Sequence, residues 1–119
     1  MFEYHAWTIA EPPGGLEAED ALADALQARI AELEEAARES FHVTRLNALT
    51  VTASGLRNRS QRGVLAVFEW LARECPQAYG LIYHRGEDPG EDGAYRFQVR
   101  RIHRGAIEHL EDRYFDDVP

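Results

Sequence analysis

In "MFEYHAWTIA" the side chains sort by alternation: Phe2, Tyr4 and Ala6 share one face of an extended chain, and His5, Trp7 and Ile9 share the other. A period of two predicts a strand, and apolar residues on both faces fit either a central strand or a contact with a second copy. The run Glu11-Pro12-Pro13-Gly14-Gly15 ends it, because proline lacks the N–H donor and glycine opens turn conformations. The period then changes. Leu22, Leu26, Ile30, Leu33 and Ala37 recur three or four residues apart, which predicts one stripe of a long amphipathic helix over Leu16 to Glu39. Glu17, Glu19 and Asp20 stand in its first turns, where the helix dipole favours negative charge.

From Phe41 to Ala53 the chain reads as two short strands turning near Asn47 and Ala48. The stretch "SGLRNRSQRG" follows as a polar, arginine-rich loop, with Ser60 as the N-cap of a second helix. Val64, Phe68, Leu71 and Cys75 form that helix's stripe, and Pro76 stands just past its end. Tyr79, Leu81 and Tyr83 share one face of the next strand, and Tyr95, Phe97 and Val99 one face of another. Ile102 breaks the second phase and predicts a bulge near Arg100 and Arg101. Arg104-Gly105 is a tight turn into a last strand, Ala106 to Leu110. The order β-α-β-β-α-β-β-β predicts an α+β fold: a largely antiparallel sheet of about five to six strands with two helices packed on it. At 119 residues the expectation is a single domain spanning 1–119.

Composition sharpens this. With 45% hydrophobic residues the chain can bury a core. No apolar run approaches the ~18 residues of a membrane span, and the N-terminus does not read as a signal peptide. One cysteine, Cys75, excludes an internal disulfide framework and fits a reducing cytoplasm. The formal charge is −8, with ten acids and two arginines in residues 1–40 against two acids and six arginines in residues 41–85. That sign argues against a nucleic-acid binder and suits a solvated acidic protein or one steered toward a basic partner.

Candidate chemistry is sparse. Glu87, Asp88, Glu91 and Asp92 surround Pro89-Gly90 in adjacent pairs. Calcium loops instead stagger their oxygens at alternate positions, so the run reads as a solvated hairpin tip or a partner-contact loop rather than a metal site. His5, His42, His84, His103 and His109 offer no H-x-x-x-H pair, and each falls on an expected strand. Cys75 lies on an apolar stripe, no serine sits in a G-x-S-x-G elbow, and no glycine pattern cradles phosphate. No catalytic set, metal site or cofactor site assembles. Two alternatives stay open: a small enzyme or metal-binding domain, and a small nucleic-acid-associated regulator using Arg57, Arg59 and Arg62, extended by Arg100, Arg101 and Arg104.

The pieces "MFEYHAW", "SGLRNR", "FEWLA", "AYGLIYHRGED" and "FQVRRIHRG", in this order, resemble the immunity protein 7 family of bacterial polymorphic toxin systems. Glu3, Tyr4, His5 and Trp7 match its N-terminal motif, with Ala6 where the family has glycine. Gly55, Arg57 and Asn58 match its second element, from which Arg59 and Ser60 depart. Tyr79, Gly80, Leu81 and Tyr83 match its central strand, with Ala78 for serine. The family's C-terminal motif survives here only at Asp112 and Pro119. The resemblance implies a cytoplasmic antidote that binds and neutralises a cognate toxin without catalysis, and the −8 charge suits a basic, nuclease-like toxin. Interfaces concentrate their energy in aromatic and arginine anchors. The candidate anchors are therefore Trp7, Tyr83, Arg57 and Asn58, with Glu87, Asp88, Glu91 and Asp92 for steering; for Trp7 and Tyr83 ordinary core packing is the alternative.

Overall fold

In the computed structural model, which describes residues 2–57, 62–86 and 96–115, the N-terminal alternation becomes β1 (Phe2–Ala10). It is central. β3 (Leu49–Arg57) pairs with one side of it and β4 (Tyr79–Gly86) with the other, both antiparallel. The described sheet has six strands in the order β2-β3-β1-β4-β5-β6, where β2 is Phe41–Thr44, β5 Gln98–His103 and β6 Ala106–Glu111. Three helices complete the described chain: α1 (Gly15–Ala31), α2 (Glu35–Glu39) and α3 (Arg62–Glu74). The class is α+β.

All the helices answer to one face of this sheet. On β1 the buried positions are Phe2, Tyr4, Ala6, Thr8 and Ala10, and the register carries the same face through Val51 and Ala53 of β3 and Ile82 and His84 of β4. These residues form one core with Leu22, Leu26 and Ile30 of α1 and Val64, Phe68 and Leu71 of α3. Phe41 of β2 stacks on Phe68 at 5.6 Å, and Arg29 of α1 lies over the Trp70 ring at 5.2 Å, which ties the two long helices together. Cys75 is buried just beyond α3.

Four expectations need correction. The helix expected over Leu16 to Glu39 is two helices: the last turn of α1 tightens, with Glu32 and Leu33 donating to the carbonyls of Arg29 and Ile30, and Glu34 then turns extended (ψ 155°). That break keeps Leu33 packed beside Gly63 of α3, where an added Cβ would lie 2.8 Å from its side chain, and lets Ala37 re-enter the core. Ser54 to Arg57, expected in a loop, continue β3; Gly55 is tolerated because the Tyr4 ring lies against it, 2.7–3.2 Å from where a Cβ would stand. The turn before β3 falls at 45–48, as expected.

No bulge interrupts β5. Its register with β4 runs unbroken from Gly80↔Ile102 to His84↔Gln98. Ile102 is out of phase with Val99 because each is buried on a different face of the strand. The fourth correction is the start of β5, which opens at Gln98, past Phe97. The Arg104-Gly105 turn is as expected: both residues have positive φ (53° and 78°), the mark of a two-residue hairpin between His103 and Ala106. Ser60 lies outside the described residues.

Candidate functional site: the helix-free face of the sheet

Among the described residues, the opposite face carries no helix. Glu3, His5, Trp7 and Ile9 of β1 point to it, with Thr52, Ser54 and Leu56 of β3, Tyr79, Leu81, Tyr83 and Arg85 of β4, and Arg101 and Leu110 of β5 and β6. Trp7 and Tyr79 meet edge to face at 6.0 Å, and they remain 40% and 48% exposed. Trp7 is therefore not a core residue. Beyond Leu81, Tyr83 packs edge-on against Phe97 (6.0 Å) and Phe115 (6.1 Å), and Phe97 and Phe115 lie 5.9 Å apart. Phe115 is held there by a turn, in which the Asp112 carboxylate accepts the backbone N–H of Tyr114 and of Phe115, each at 3.0 Å. Partial burial, then the charge of Asp112, pushes the Tyr83 hydroxyl pKa up, so the ring stays neutral.

The charges on this face close on one another. Glu3 accepts from His5 Nε2 (2.7 Å) and Arg85 Nε (3.1 Å), and His5 Nδ1 meets Ser54 Oγ at 3.0 Å. Burial raises the Glu3 carboxyl pKa, and the bonds from His5 and Arg85 more than offset this, leaving it below the ordinary carboxylate range. The Arg85 guanidinium also lies over the Phe97 ring at 4.6 Å. Farther out, Arg101 pairs with Glu108 at 2.8 Å.

Among the expected site residues, Trp7 and Tyr83 thus share one face on adjacent strands. Arg57 is the last residue of β3 and Gly86 the last of β4, and both pair with Phe2. Asn58, Arg59, Glu87, Asp88, Glu91 and Asp92 lie outside the described residues. The second arginine cluster does not form one patch. Arg100 turns to the helix side, donating from Nε to His84 Nε2 (3.1 Å) and meeting Glu69 at 3.3 Å, whereas Arg101 points to the helix-free face. Sequence reasoning missed Tyr79, Phe97 and Phe115 as site members; placing them together needs the β1–β4 register and the fold of the C-terminal segment. Among the described residues no group of three or more His, Cys, Asp or Glu could hold a metal, and no helix is long and apolar enough to cross a membrane.

On the helix side, a pocket of about 300 Å³ lies between α3 and β5–β6, lined by Glu69, Arg73, Arg100 and His109 among others. His84 is buried beneath this cluster. Burial, then the charges of Arg100 and His109, lowers its pKa from 6.5 to about 4, and the Arg100 bond places its proton on Nδ1. Below pH 6.5 the unfolded chain takes up this proton and the folded one does not until about pH 4. Stability is therefore intact above about pH 6.5 and falls as pH drops toward 4. Denaturant titrations at pH 7 and 4.5 should show a loss about 2 kcal/mol larger than in His84→Gln, the full shift being reduced for solvent screening. Equal losses in the two proteins would remove His84 from the acid sensitivity.

Fold and site together define a class: an α+β protein with helices on one sheet face and an aromatic, internally neutralised surface on the other. The sequence model of the family described as Immunity protein 7 matches residues 1–119, and the chain belongs to that family. Immunity proteins are members of toxin systems and are generally non-catalytic. Searches of curated proteins and of solved structures returned no match.

Proposed function

We propose that this protein is a cytoplasmic immunity protein that binds a cognate polymorphic toxin domain through the helix-free face and neutralises it without catalysis. The observation that carries the reading is the convergence of Trp7, Tyr79 and Tyr83 on a sheet face that no described helix covers, in a chain matched along its whole length by an immunity family. Aromatic side chains in a partly desolvated cluster are the residues that hold protein interfaces together. Arg57 and Asn58 are proposed as further toxin contacts. The net charge of −8, with the acids of Glu87, Asp88, Glu91 and Asp92, steers a basic, nuclease-like toxin toward the complex.

The test takes as candidate partner any toxin domain encoded in a gene adjacent to this one. Co-expression of this chain is expected to restore growth to cells producing that domain, and the two should co-purify. Continued toxicity with no recovered complex would reject the proposal.

A further inference from the structure

We infer that the part of the toxin seated on the helix-free face is an uncharged, apolar patch, and that the acids of this protein act on encounter rather than in the contact. The inference rests on the proposed function and adds the chemistry of the partner surface. Its first support is where the charge lies. Residues 11–39, which form α1, α2 and their connections, hold nine acids and two arginines. That net of −7 is nearly the whole charge of the molecule, and it sits on the layer across the sheet from Trp7 and Tyr79. Set on the far side of the sheet, such charge acts on the approach of a partner and makes no contact with what sits on Trp7 and Tyr79.

The second support is the state of the charges that do belong to the face. Glu3 is bonded to both His5 and Arg85, and Arg101 to Glu108. A partner carboxylate or guanidinium buried against them would meet groups already matched and would lose its water without a counter-ion. An apolar patch brings no charge of its own to desolvate, provided the half-exposed His5, Arg101 and Glu108 stay at the wet rim of the contact. It would instead cover the half-exposed rings of Trp7, Tyr79 and Phe115 and the exposed side chain of Leu56. The size is adequate. Six strands at ~4.8 Å spacing give a face about 24 Å across, and a nine-residue β1 gives about 30 Å along it. That is close to the ~800 Å² per partner that a specific complex covers. For a toxin that handles nucleic acid, the patch then lies outside its basic phosphate-binding groove, which leaves the groove's charge free to respond to the acids during approach.

The two kinetic constants separate these roles. Stopped-flow binding of the purified cognate toxin domain, made inactive, is measured at 50 mM and 500 mM NaCl. The association rate is expected to fall at least about tenfold, and the dissociation rate to change less than about twofold. Charge reversal of Glu17 and Asp24 on α1 and of Glu32 at its end should reproduce the first effect without the second. A dissociation rate that rises tenfold or more with salt, or with those reversals, would overturn the inference while leaving the toxin-binding reading intact. Absence of a complex at either salt would overturn both. Self-association of this chain that Trp7→Ala abolishes would assign the face to a second copy and overturn the inference as well.

Discussion

Replacing both Trp7 and Tyr79 by alanine is expected to weaken binding of the cognate toxin domain by about 100-fold or more, with little change in the stability of the free protein. The two rings meet edge to face on the helix-free side of β1 and β4, and both are too exposed to carry much of the core. The cost of truncation in the complex comes from a desolvated aromatic pair losing its partner surface, for which about 2 kcal/mol per anchor is typical. In the free protein the same change removes half-exposed area whose contribution is far smaller. Isothermal titration and thermal melts on one preparation check both halves. Wild-type affinity in the double variant would show that the aromatic face is not the toxin surface. A collapse of the melt would show that the pair is structural after all. Tyr83→Ala is the companion variant, because its ring holds Phe97 and Phe115 together on the same face.

The largest effect on stability is expected from a single methyl group. A Cβ at Gly80 would lie 2.0 Å from the Trp7 carbonyl oxygen and 2.8 Å from Thr8 Cα. Both are backbone atoms of the central strand, so no side chain can turn aside to make room. β1 and β4 would have to part at the Thr8↔Gly80 pair, in the middle of the sheet. Gly80→Ala is expected to cost about 3 kcal/mol or more, or about 10 °C in Tm, and to reduce the yield of folded protein. Because Gly80 neighbours Tyr79 and Leu81, it also fixes how the helix-free face is spaced. Thermal unfolding of the purified variant decides the matter; a melt within a degree or two of wild type would mean that the two strands do not approach as closely as described.

Much of this architecture was legible from alternation. The parity of "MFEYHAW" separated Tyr4 from Trp7, and the structure puts the first in the core and the second in solvent. The Arg104-Gly105 hairpin and the burial of Cys75 also followed from local chemistry. Alternation could not say which parity faced the helices, so Trp7 and Tyr83 stood equally well for core or anchor until the register was known. Two errors had tertiary causes. Gly55 and its polar neighbours read as a loop, yet the absence of a Cβ there is what lets the Tyr4 ring lie across β3. Val99 and Ile102 read as a broken phase, yet β5 buries one apolar residue on each face. The break between α1 and α2 has no glycine or proline to announce it and follows from the packing of Leu33 and Ala37. Phe115 was out of reach for a different reason: its place beside Tyr83 depends on the turn built by Asp112.

That helix-free face is the central claim, and site-specific photocross-linking addresses it most directly. A benzophenone side chain at position 79 is compared with one at position 24, on the outer side of α1, in cells producing the cognate toxin domain. Capture of the toxin from position 79 and not from position 24 is the predicted result. Capture from position 24 alone would place the toxin on the acidic helical layer and contradict the account.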